Sequence, residues 1–155
     1  MLSSGKGAPV ILLLVTAGPL DVTWAKLSPG VTSILQLGYP AQSTGEALRR
    51  TLTLAEPAAA PAARLPATWP ANINQIPPMT NYTMHGRTYR YYEGEPLYPF
   101  GYGLSYTTFR YENVSITPEV VAAGDDVNVE VCLKNTGSYD SDEVCYMKII
   151  VSERV

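Results

Sequence analysis

With 155 residues and a net charge of −3, the chain has length for one ordinary domain or two partial ones, and no basic field for nucleic acid. Its 46% hydrophobic and 16% charged residues make it globular rather than disordered, and no apolar run approaches the roughly 20 residues of a membrane helix. Thirteen prolines, twelve glycines and eleven tyrosines favour strands and turns over long helices. Residues 1–100 carry seven Lys/Arg against five Asp/Glu, while 101–155 carry four against nine, which marks a boundary near residue 105.

Gly7 to Pro19, GAPVILLLVTAGP, has two readings on pattern alone. A lone Lys6, a short apolar stretch and the small residues Ala17-Gly18 fit a secretory leader. A continuous Val/Ile/Leu run closed by Gly18-Pro19 equally fits a parallel strand buried on both faces. Beyond it, Asp21 is placed to cap a short helix, Val22 to Lys26, ended by Pro29-Gly30. Val31 to Leu37 reads as a second apolar strand, closed by Gly38-Tyr39-Pro40. Gln42 to Leu54 reads as a helix with Ala47, Leu48 and Leu52 on one face and Arg49-Arg50 outward. Strand, helix, strand, helix is the grammar of an α/β fold.

Glu56 to Pro61 is a low-complexity loop. Leu65 to Trp69 fits an edge strand, because Pro66 cannot donate to a central ladder. Residues 70–88 read as irregular, held extended at Pro77-Pro78. Seven tyrosines and both phenylalanines then fall between Tyr89 and Tyr111. Alternating strands follow at Asn113–Thr117 and Val127–Leu133, with a turn at Asn135-Thr136-Gly137 and a third strand at Val144–Val151. Such strands fit a β-sandwich, so the fold class expected is α/β plus all-β, the sandwich being incomplete. Strand parity puts Cys132 outward and Cys145 inward with Met147, so two free thiols are expected.

Taken in order, several segments resemble glycoside hydrolase family 3, the β-xylosidase and β-glucosidase group. They are PVILLLVTAGPLDVTWAK, the turn Gly38 to Gln42 with Gly45 to Leu48, and RLPATW at 64–69. PMT at 78–80, GRTYRY at 86–91 and above all YPFGYGLSYTTF at 98–109 complete the series. The resemblance implies three parts: the C-terminal part of that family's α/β sandwich domain at 1–97, an aromatic interdomain segment at 98–110, and the N-terminal part of a fibronectin type III-like domain at 111–155. Packing of one domain on the other is then expected from Tyr98, Phe100, Tyr102, Tyr106 and Phe109. It also makes the opening run an internal strand, with the chain beginning inside a longer protein. Two departures stand out: there is no glycine from Ala47 to Leu65, and Ala41 stands where the family usually has a second turn glycine.

Retaining glycoside hydrolysis needs two carboxylates about 5–5.5 Å apart. The resemblance implies an aspartate nucleophile on an N-terminal barrel and a glutamate acid/base ahead of the first strand, so no catalytic residue is expected within this chain. Its own acids have simpler readings. Glu46 suits the first turn of a helix. Glu93 and Glu95 flank Gly94 in a turn, and Asp140, Asp142 and Glu143 form an acidic loop without calcium-loop spacing. Ser105 lacks the final glycine of a nucleophile elbow, and His85 is the sole imidazole. Neither a metal nor a cofactor is implied.

The expected function is therefore a portion of a retaining exo-β-glycosidase acting on terminal β-linked sugars (β-D-xylosides or β-D-glucosides), inactive by itself. Its partners would be the glycoside substrate and the parent's barrel domain. The alternative is a secreted, non-catalytic carbohydrate-binding or adhesion module using the tyrosines as a platform. Asn81-Tyr82-Thr83 and Asn113-Val114-Ser115 are N-glycosylation sequons, in keeping with an extracellular or secretory-pathway parent.

Overall fold

The computed structural model describes residues 7–54, 59–122 and 124–147. They divide into two units, Met1–Glu46 with Arg64–Gly103, and Ala47–Ala63 with Leu104–Val155.

In the first unit, strand β1 (Val10–Leu14) pairs in parallel with β2 (Val31–Gln36), with Leu12 opposite Ile34 and Leu14 opposite Gln36. Helix α1 (Thr23–Leu27) lies between them in sequence. Asp21 acts one position earlier than a cap would: its Oδ1 accepts from the Thr23 N–H at 3.1 Å, while Val22 occupies the N-cap without a side-chain bond. Gly38 closes β2 at φ +66°, a conformation that glycine adopts without a Cβ penalty.

Leu14, Val22, Ala25 and Trp69 form the buried core, with Leu12, Val31, Ile34, Leu65, Leu97 and Tyr98 against it. The Trp69 indole N–H donates to the Leu20 carbonyl at 2.8 Å, so its one polar atom is satisfied inside that core. The expectation of a strand buried on both faces is corrected. Leu12 and Leu14 face the core, whereas Ile11 and Leu13 are 44% and 42% exposed. Among the described residues only one face of the pair is covered, so a continuous apolar run shows an alternating burial pattern.

Leu65–Trp69 does not form the expected edge strand. Trp69 makes an isolated antiparallel bridge with Tyr98, and the Leu65 N–H donates to Tyr102 O at 2.8 Å. Pro66 lacks the N–H that a continuous ladder would use. Within the stretch expected to be irregular, a short 3₁₀ turn spans Ile73–Gln75. It is followed by the one-turn helix α3 (Thr88–Tyr91).

The first division between the units falls within helix α2 (Thr44–Thr53), none of whose residues is buried. Leu54 follows at φ +50°. Left-handed backbone at a helix end usually falls to glycine, and here a leucine takes it, at the start of the glycine-free stretch.

In the second unit, β3 (Phe109–Thr117) and β4 (Asn128–Asn135) pair antiparallel, with Tyr111 opposite Leu133 and Ile116 opposite Val129. A bulge between Glu112 and Ser115 brings Asn113 to φ +51°. The Asn135-Thr136-Gly137 turn is held by its first residue: Asn135 Oδ1 accepts from Thr107 Oγ1 at 2.7 Å and from the Gly137 N–H at 3.0 Å. No strand is present at Val144–Met147, and the remainder of the expected third strand lies outside the described residues. Cys145 is accordingly exposed, not inward, because strand parity holds only for paired, extended backbone; Cys132 is exposed as well, and both are free thiols.

Candidate functional site

In the first unit, polar and aromatic side chains gather between Trp69 and Tyr102. Arg87 organises this region. Its Nε donates to Thr83 O at 3.2 Å, and its Nη2 reaches the carbonyls of Pro77, Pro78 and Asn81 at 3.3, 3.1 and 2.9 Å. A planar guanidinium can satisfy several carbonyls that a loop leaves unpaired, which fixes the curve of residues 77–83. Gly86 allows the return at φ +71°, and a Cβ there would meet Pro77 Cγ at 3.2 Å. Thr88, a β-branched residue, is held at φ +55° just beyond the clamp.

Beside this loop lies a cleft of about 190 Å³ lined by Gln75, His85, Gly86, Tyr92, Glu93 and Gly94. The Gln75 amide is committed to the backbone, accepting from the Ala71 N–H at 2.6 Å and donating to Glu95 O at 3.2 Å. Burial and the nearby Glu95 carboxylate raise the pKa of the Tyr92 phenol. The lining therefore offers one carboxylate, Glu93, and one imidazole, His85. A retaining glycosidase needs a carboxylate pair, which these six residues do not supply.

The aromatic segment finds ring partners locally. Tyr98 stacks on Tyr102 with centroids 4.9 Å apart, and Phe100 sits 4.4 Å from Tyr89. Lys26 places its Nζ 4.9 Å from the centre of the Tyr98 ring and donates to Leu97 O at 3.1 Å. Burial, then the Tyr102 neighbour, raises the Tyr98 pKa, so its hydroxyl stays protonated well past neutrality. Tyr106 is half exposed in the second unit, where Phe109 begins β3.

The remaining sequence candidates are scattered. Glu46 lies in the first turn of α2. Ser105 Oγ is 3.5 Å from Ser141 Oγ. Glu143 accepts from the Tyr111 hydroxyl at 3.2 Å, and no group of His, Cys, Asp or Glu suited to a metal occurs among the described residues. Asn81 and Asn113 both lie exposed. Sequence reasoning assigned no role to Arg87, Gln75, His85 or Tyr92. The Gly86-Arg87 pair within GRTYRY was the available signal for the clamp, whereas Gln75 carries no periodic or motif signal.

A parallel β–α–β unit followed by an antiparallel hairpin makes this a mixed α/β protein with a β-rich second part. The sequence model of the glycosyl hydrolase family 3 C-terminal domain matches residues 3–106, and the chain belongs to that family. It is 46% identical over 108 residues to "Beta-D-xylosidase 1" of Arabidopsis thaliana, covering 65% of this chain and 14% of that protein. β-Glucosidase 3B from Thermotoga neapolitana, solved with glycerol, superposes with a TM-score of 0.68 at 33% identity, covering 85% of this chain and 20% of that one. A family 3 exo-β-xylosidase, solved with a xylobiose aziridine probe, gives a TM-score of 0.61 at 34% identity, covering 69% and 15%. The chain thus spans a seventh to a fifth of the length of these relatives.

Proposed function

We propose that this chain supplies the C-terminal domain portion of a retaining exo-β-glycosidase acting on terminal β-D-xylosides or β-D-glucosides. Residues 111–155 would begin a fibronectin type III-like domain, a reading supported by the β3–β4 hairpin. The observation that carries the proposal is the family match over residues 3–106, joined to the 46% identity with a β-D-xylosidase. Hydrolysis by double displacement then draws both carboxylates from outside this chain, consistent with a cleft that offers only Glu93. The parent would act in the secretory pathway or outside the cell.

A chimera tests the reading. This chain, put in place of the corresponding segment of the Arabidopsis β-D-xylosidase, should leave nitrophenyl β-xyloside hydrolysis within about tenfold of the parent enzyme, a change of about 1.4 kcal/mol. A folded but inactive chimera would count against it. The isolated chain should hydrolyse neither nitrophenyl β-xyloside nor β-glucoside. Turnover by the isolated chain that is lost on Glu46→Gln, Glu93→Gln or Glu95→Gln would contradict the claim that both carboxylates come from elsewhere.

A further inference from the structure

The two sequons of this chain sit in unlike surroundings, although both asparagines are exposed. Asn81 lies on the loop curved by Arg87, beside Tyr82, which is 92% exposed. Its carboxamide is already organised by its own triplet. Oδ1 accepts from the Thr83 N–H at 3.0 Å and from Thr83 Oγ1 at 2.9 Å. Both bonds hold the carboxamide by its oxygen, and Nδ2 is left without a partner among the described residues. The loop is held by other bonds: Asn81 N–H donates to Pro78 O at 2.9 Å, Arg87 N–H to Met84 O at 3.0 Å, and Arg87 Nη2 to Asn81 O at 2.9 Å.

Asn113 is built differently. It occupies the β3 bulge at φ +51°, between Glu112, opposite Cys132, and Ser115, opposite Glu130. No hydrogen bond joins Ser115 to the Asn113 carboxamide among the described residues. An enzyme taking this triplet into its site must first peel Ser115 from β4, at the expense of ladder bonds.

We propose that Asn81 is the N-glycosylated residue of this chain and that Asn113 stays unmodified. The donor is a lipid-pyrophosphate-linked oligosaccharide. Nδ2 attacks the anomeric carbon and forms the C–N bond. The C–O bond to the pyrophosphate breaks, its electron pair leaving with the pyrophosphate, and Nδ2 gives up one proton to a base of the transferase. The glycan then projects from the loop beside Tyr82, where nothing in the first unit's core need move. The proposal rests on the secretory-pathway placement of the parent.

The test separates the two claims. The full chain is expressed in a eukaryotic host behind a cleavable leader, with an Asn-Ala-Thr tail appended as a reporter of luminal entry. Occupancy is read by mass spectrometry before and after peptide-N-glycosidase treatment. The expected result is two glycans on the tailed chain, one after Asn81→Gln or Thr83→Ala, and still two after Asn113→Gln. A tail glycan alone, or a loss that follows Asn113→Gln instead, overturns the site assignment while leaving the secretory placement standing. A chain without even the tail glycan counts against luminal entry, and the proposal falls with it.

Discussion

The first unit closes one face of its strand pair, with Leu14 and Trp69 only 8% and 4% exposed, whereas every residue of β4 in the second unit is exposed. Val129, Val131 and Leu133 share a face as their alternation requires, yet they remain 40%, 44% and 39% exposed. The two pairs differ in apolar content, which is denser in β1–β2, and also in what lies over them. Helix α1 and the Trp69 segment cover β1–β2, and no described element covers β3–β4 in the same way. Alternation shows which face a strand would bury; only tertiary structure shows whether anything arrives to bury it.

Trp69→Ala is the strongest way to break the comparison. It should destabilise the first unit by about 3–5 kcal/mol through the cavity it leaves and the lost bond to Leu20. Hydrogen exchange should show amides of β1 and β2 losing protection while β3 and β4 keep theirs. Equal loss in both would show that the units unfold together. Gly137→Ala is the converse, because its Cβ would run into Thr107 Oγ1 and lie 2.8 Å from Thr108 N. Overpacking there should cost about 1–3 kcal/mol, with lost protection confined to the end of the pair where Phe109 meets Asn135.

A pH titration sharpens the contrast further. The Tyr111 pKa is raised, first by its hydrogen bond with Cys145, then by burial, then by the bond and charge of Glu143. The folded state favours the neutral phenol, so this contribution to stability is complete below pH of about 10 and falls away as pH climbs beyond it. Ultraviolet absorbance should show Tyr111 among the late-ionising tyrosines with Tyr92 and Tyr98, and Tyr111→Phe should remove one phenol from that late step. The smallest effect is expected from Val131→Thr, within about 0.5 kcal/mol because the side chain is already half in water. Reduced self-association in light scattering would be its main consequence. A large loss of stability would mean that this face is covered after all.

Much of the first unit was legible from local chemistry. The Val/Ile/Leu runs, Gly18-Pro19 and Gly38 marked β1 and β2, and the strand–helix order implied their parallel pairing. Burial was not legible, since Ile11 and Leu13 look no different from Leu12 and Leu14 until α1 and Trp69 come down on one side. Cys145 was misplaced because its parity presumed a strand that Val144–Met147 does not form. Of the candidate site, Glu93 and Glu95 were correctly set around a bend at Gly94. GRTYRY marked the place of the Arg87 clamp but not its partners, because four carbonyls converge on one side chain only after the loop has closed.

The first unit is discontinuous along the chain, which governs how it can be made. Its Met1–Glu46 and Arg64–Gly103 segments are separated by residues that belong to the other unit. Lys26 must wait for Leu97, and the Leu20 carbonyl for the Trp69 indole. A ribosome emitting this polypeptide releases β1, α1 and β2 long before Trp69 and Leu97, leaving part of their apolar face in water for the interval. Long-range closure of this kind slows folding and exposes sticky surface meanwhile. Within this stretch of chain, β1 and β2 are the elements that wait longest for their cover.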